Sequence, residues 1–211
     1  MMSKKTLGYV LFFSFLAITF YLLITWLIPG FSQKNVSPIS FVQPFSFTNQ
    51  DGKNVSEQDV KGKVFVAEYF FTTCTGICPR MNKNMLKVYD KFKNENQFMI
   101  LSHTSDPGVD SAARLKAYAD SMGVSTDRWQ FLTGTKDSLY YSARNIYKID
   151  DPHNNLTDDT VDFLHTQFVA LVDQNGDVRE IYDALKPSEM NKMMEEIEKL
   201  LKDPPIATIN N

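Results

Sequence analysis

The chain has 211 residues, 43% hydrophobic and 22% charged, with 22 basic residues against 25 acidic ones and a formal net charge of −3. The first 33 residues hold two of the basic residues and none of the acidic ones, so the remainder is net acidic. That balance argues against a nucleic-acid partner and against a polybasic lipid-binding surface.

Lys4 and Lys5 are followed by no charged residue until Lys34, and Leu7 to Ile28 is apolar apart from Ser14, Thr19 and Thr25. At ~1.5 Å per residue such a helix reaches about 33 Å, enough to cross a hydrocarbon core of about 30 Å. A secretory signal has a shorter apolar core and a small-residue cleavage site. Here the run ends in Trp26-Leu27-Ile28-Pro29-Gly30. The expectation is an uncleaved single-pass anchor over residues 1–33. Its basic flank puts the N-terminus in the cytoplasm and the body on the far side, the periplasm if the cell is bacterial and the membrane its inner one. Residues 34–40 read as a linker, 41–203 as one domain, and 204–211 as a tail.

Within the domain, Phe45–Thr48 and the turn Gln50-Asp51-Gly52-Lys53 read as a strand and hairpin. The apolar run Val64–Phe71 fits a central strand buried on both faces. Met81–Lys93 reads as a helix, Gln97–Ser102 as a strand, and Asp110–Met122 as a helix stopped by Gly123. Trp129–Leu132 is a strand and Lys136–Tyr147 a helix; residues 148–163 form a polar, acidic loop. Thr166–Val172 and Val178–Tyr182 pair across Asp173-Gln174-Asn175-Gly176-Asp177, and Pro187–Leu201 closes the chain as a helix. Strands alternating with helices predict an α/β, thioredoxin-like mixed sheet with helices on both faces.

Cys74 and Cys78 are the only cysteines, placed between that central strand and the next helix in Thr73-Cys74-Thr75-Gly76-Ile77-Cys78-Pro79. If the segment is helical, residues four apart share a face, so both sulfurs can grip one metal ion or bond each other. Proximity to a helix N-terminus is expected to lower thiol pKa values. A purely structural disulfide is the alternative, although so short a loop constrains the unfolded chain little.

His165 stands immediately before the strand that begins at Thr166, where the connection faces the thiol turn in this type of sheet. Two soft thiolates and one imidazole suit Cu(I), or Cu(II) with an added ligand. His103, at a strand exit, is a weaker candidate that could approach the same face. His153 lies in the acidic loop and is expected to be solvated. Asp150, Asp151, Asp158, Asp159 and Asp162 lack calcium-loop spacing. Met190, Met193 and Met194 share one helical face, where core packing is the default and a copper patch the alternative.

The ordered set of an N-terminal anchor, T-C-x-x-x-C-P, S-x-x-x-D-P, T-G-T, and H-T before a strand and a D-Q-N-G hairpin resembles the SCO/SenC family from about Phe45 to Leu201. The resemblance implies a thioredoxin-like fold and copper held by two cysteines and one histidine, matched here by Cys74, Cys78 and His165. It implies delivery of copper to the binuclear centre of cytochrome c oxidase subunit II, or to another periplasmic copper protein. Asp106 matches the family's D-P aspartate. Family members often carry an acidic residue before the histidine; here that position is Leu164, and Asp162 is three residues away. A thiol-disulfide oxidoreductase acting on the cysteines of that subunit or another target is the competing function. A peroxidase is disfavoured, because no T-x-x-C with a suitably placed cation is present.

Overall fold

The computed structural model describes residues 3–27, 37–150 and 166–202. The chain divides into two units, residues 1–37 and 38–211. In the first, helix α1 (Lys4–Leu27) contains a 21-residue stretch, Lys5–Thr25, long and apolar enough to cross a membrane by length and composition.

The second unit is built on an eight-stranded sheet: β1 (Ser40–Phe41), β2 (Ser46–Asn49), β3 (Asn54–Ser56), β4 (Val64–Phe70), β5 (Phe98–Thr104), β6 (Trp129–Thr133), β7 (Phe168–Val172) and β8 (Asp177–Asp183). Their spatial order is β1-β8-β7-β4-β5-β6-β2-β3. β4 pairs with β5 in parallel and with β7 antiparallel, and every residue of β4 and β5 is buried. Strands covered on both faces must be apolar throughout, which is why the Val64–Phe71 run signalled a central position. The segment before β4 supplies both sheet edges: β1 joins β8, while β2 joins β6 and hairpins with β3.

Helices α3 (Cys78–Phe92), α4 (Ala112–Met122) and α6 (Pro187–Lys202) cover one face of the sheet. Their core includes Val64, Val66 and Phe70 from β4, Met81 and Met85 from α3, and Met190 and Met193 from α6. Met194 is half-buried against the same core, so the methionine stripe is packing. The short α2 (Glu57–Val60), α5 (Lys136–Tyr141) and a π-helical turn (Ser142–Ile146) cover the other face, against Phe65, Ala67 and Tyr69. This is the expected mixed sheet with helices on both faces. The helix expected over Lys136–Tyr147 changes hydrogen-bond pattern partway, where Tyr147 N–H reaches back to Ser142 at 2.8 Å. Gly123 ends α4 at φ +68°, a left-handed C-cap for which glycine has no steric cost.

Candidate functional site

β4 delivers the chain to the thiol turn. Its end is tied to β5 by Ser105 N–H, which donates to Phe70 O at 2.8 Å, and Cys74 N–H then donates to Phe71 O at 3.1 Å. Helix α3 starts at Cys78, with Pro79 in its first turn, where a missing N–H costs nothing. Cys74 therefore sits in the turn and outside the helix. The face shared by residues four apart does not apply, because the turn needs irregular backbone between strand and helix.

The two sulfurs nonetheless meet. Both cysteines carry free thiols, Cys74 half-buried and Cys78 only 4% exposed. The Cys78 thiol is pushed up to about 12, first by burial and next by its hydrogen bond to Cys74. The lowering expected from the helix N-terminus is thus overturned at Cys78. Desolvation of a thiolate outweighs the few exposed N–H groups of one helix end.

Asp110 braces this turn. It is completely buried, and its Oδ2 accepts Thr72 N–H at 3.0 Å and the Thr104 hydroxyl at 2.7 Å. Its Oδ1 accepts the Thr72 hydroxyl. Arg114 Nε donates to Thr72 Oγ1 at 2.6 Å and lies 3.6 Å from Asp110 Oδ1. Asp106, the D-P aspartate, sits one turn earlier, and its carbonyl accepts Asp110 N–H at 2.9 Å. Sequence reading singled out Asp106 and missed Asp110. The signal was the second aspartate four residues on, in Asp106-Pro107-Gly108-Val109-Asp110.

Glu68 was missed as well. It is fully buried in β4, accepts a hydrogen bond from Ser102, and its carboxyl is raised to about 7 by burial.

His103 is removed from the site. It is fully buried in β5 among Tyr69, Phe47 and Tyr147, stacking on Tyr69 at 4.9 Å between centroids. Those neighbours belong to the core on the face opposite α3, so the sheet itself separates this imidazole from the thiols. Burial lowers its pKa to about 4.

His165 lies outside the described residues, as do His153, Asp151, Asp158, Asp159, Asp162 and Leu164. Asp150 is described and pairs with Arg144 at 2.7 Å. Thr166, the neighbour of His165, is buried, and its hydroxyl donates to Ile149 O at 2.7 Å. It leads into β7, which runs antiparallel to β4 with Ala170 opposite Ala67. The start of β7 and the end of β4 therefore lie at one end of the sheet. Among the described residues no group of three His, Cys, Asp or Glu side chains is placed to hold a metal. An open groove of about 590 Å³, lined by Phe45, Phe47, Asp137, Tyr141 and others, contains no cysteine or histidine.

The SCO1/SenC family model matches residues 33–202. The SCO1 protein homolog of Bacillus subtilis is 43% identical over 108 residues, half of this chain and 56% of that protein, so the match spans little more than half of the relative. The solved structure of BsSco, described as a member of the Sco family of cytochrome c oxidase assembly proteins with a disulfide switch, is 32% identical. It superposes with a TM-score of 0.65 over 79% of this chain and 96% of that one. Arabidopsis thaliana ScoI, solved with copper bound, shares the fold at 21% identity, with a TM-score of 0.58 over 77% and 99% of the two chains. The chain belongs to the SCO1/SenC family, and its second unit has that family's thioredoxin-like fold.

Proposed function

We propose that this protein is a membrane-anchored copper chaperone, which binds one copper ion through Cys74, Cys78 and His165 and delivers it to the binuclear centre of cytochrome c oxidase subunit II. The observation that carries the reading is the meeting of two free sulfurs at the end of β4. Soft sulfur donors favour Cu(I), and an imidazole supplies a third donor of compatible softness. The antiparallel pairing of β7 with β4 supports His165 as that donor, because the strand following it starts at the thiol end of the sheet. Copper bound to Arabidopsis ScoI supports the choice of metal. Cys74, the more exposed sulfur, is the one an incoming ligand from a partner reaches first, so transfer by ligand exchange begins there.

The apolar α1, behind two lysines, supports a single-pass anchor with the domain outside the cytoplasm, the periplasm in a bacterium. A second reading, thiol-disulfide exchange, is favoured by the contact between the free thiols and by the disulfide switch described for BsSco. His165 discriminates, since a metal site needs it and disulfide exchange does not. The test is oxidase activity in cells carrying His165→Ala. The chaperone reading predicts low activity, partly restored by added copper. Near-normal activity in His165→Ala, together with failure of Cys74→Ser and Cys78→Ser, would establish the exchange reading instead.

A further inference from the structure

Helix α3 carries four basic residues, Arg80, Lys83, Lys87 and Lys91, against one acidic residue, Asp90. Their steps of three and four put them on one face of the helix, as a stripe about 16 Å long at ~1.5 Å per residue. All four are exposed, turned away from Met81, Met85 and Val88, which enter the core. Lys91 pairs with Glu198 at 2.7 Å, and Asp90 is taken by Lys93 at 2.9 Å. Among the described residues no carboxylate forms an ion pair with Arg80, Lys83 or Lys87. Lys87 donates only to the side-chain oxygen of Asn84, at 3.0 Å.

The other long helices of the second unit are arranged differently. On α6, Lys192 lies 3.8 Å from Glu189 and Lys199 lies 3.0 Å from Glu196, and on α4 Lys116 bonds Asp120. Like charges three and four residues apart destabilise a helix, and a cation in the first turn opposes the helix dipole. Arg80 stands in that first turn, which holds no acidic residue. α3 therefore departs from the pairing that α4 and α6 keep, and does so immediately after the thiol turn. A local rule broken at one place in an otherwise consistent fold points to a functional surface.

Residues 38–211 are net acidic, so the unpaired stripe runs against the charge of its own domain. An acidic protein is repelled over most of this surface and attracted along α3. Such a field orients an encounter as well as speeding it. The N-terminal end of α3 is Cys78, so a partner guided along the stripe arrives at the sulfurs. We propose that Arg80, Lys83 and Lys87 form the docking surface for an acidic face of the protein that receives the copper. This rests on the chaperone reading of the thiol turn, and adds to it the chemistry of the recipient's contact face.

The second unit contains every described strand and both cores, so it folds without α1 and serves as the soluble donor. The test loads it with Cu(I) and mixes it, without oxygen, with the reduced, metal-free soluble domain of cytochrome c oxidase subunit II. Native mass spectrometry follows copper from one protein to the other in wild type, Lys83→Glu/Lys87→Glu and Lys192→Glu/Lys199→Glu. The last pair changes net charge equally, on α6. The expected wild-type rate falls about tenfold between about 20 and about 200 mM salt, as screening shortens the reach of the stripe. Lys83→Glu/Lys87→Glu should transfer at least tenfold more slowly at low salt, while the α6 variant stays within about twofold of wild type. Lys83→Glu alone should raise the melting temperature while slowing transfer, because it gives Arg80 and Lys87 a carboxylate partner.

Transfer at the wild-type rate in Lys83→Glu/Lys87→Glu, or equal slowing by both double variants, would overturn the stripe while leaving the chaperone reading intact. Weakened copper binding by Lys83→Glu/Lys87→Glu without the recipient would give the stripe a partner within the chain and overturn docking. Binding to phosphatidylglycerol vesicles, or self-association, that the same variant abolishes would assign the stripe to lipid or to a second copy instead. Absence of any transfer from wild type would overturn subunit II as the recipient, and this proposal with it.

Discussion

Asp110 accepts Thr72 N–H at 3.0 Å and the Thr104 hydroxyl at 2.7 Å on a single carboxylate oxygen, so one buried side chain joins the ends of β4 and β5. Thr72 is two residues from Cys74. The position of the thiol turn thus depends on a residue from a different loop.

Asp110→Ala should therefore cost about 2–3 kcal/mol of stability, since its hydrogen bonds to Thr72 and Thr104 are lost together. Urea unfolding measures that loss. Both thiols should still react with a thiol reagent, while copper affinity falls because the sulfurs are no longer held together. Unchanged affinity would show that the turn holds its shape without the brace.

Glu68 and His103 should set opposing slopes in the pH dependence of stability. An unfolded glutamate releases its proton near 4.5 and the folded one near 7, so over that window the native state keeps the extra proton and weakens as pH rises. His103 works the other way: the unfolded ring takes a proton below 6.5 and the folded one only near 4, so stability falls as pH drops through that range. Glu68→Gln should therefore gain stability over wild type progressively from pH 4.5 to 7, by about 3 kcal/mol in all. Parallel stability curves for the two proteins would contradict the buried-carboxyl assignment.

His103→Gln should leave copper affinity within about twofold of wild type, although it disturbs a buried aromatic stack and lowers stability by about 1–3 kcal/mol. Isothermal titration of the reduced domain decides the point. A large loss of affinity in a folded variant would return His103 to the site.

A reporter fused to the C-terminus should be active only outside the cytoplasm, and deletion of residues 1–33 should release the domain from membranes. Cytoplasmic reporter activity, or a mature N-terminus near residue 30, would contradict the anchor.

Much of the sheet was legible in the sequence because its signals are local. The unbroken run in β4, the Asp173–Asp177 hairpin and the glycine ending α4 each announce themselves within a few residues. The pairing of Ser40 with Val178 at the sheet edge had no such local signal. Nor did the strand sides: His103 stood at a plausible strand exit, but one residue of register decides which face a side chain takes. The spacing of Cys74 and Cys78 would put them on one face only if the segment were helical, whereas the turn before Pro79 keeps Cys74 out of α3. Glu68 was visible as a carboxylate inside an apolar run, yet the hydrogen bonds that surround it come from Ser102 and, through it, Trp129, distant in sequence.

The central claim is that two sulfurs and His165 form one copper site. The most direct measurement is a competition titration of Cu(I) into the reduced domain beginning near Pro38, as wild type and as His165→Ala, with X-ray absorption of the bound metal. The account predicts one copper per chain, sulfur and nitrogen scattering in wild type, and affinity at least tenfold weaker in the variant, about 1.4 kcal/mol or more. Equal affinity and an unchanged scattering shell in His165→Ala would contradict it.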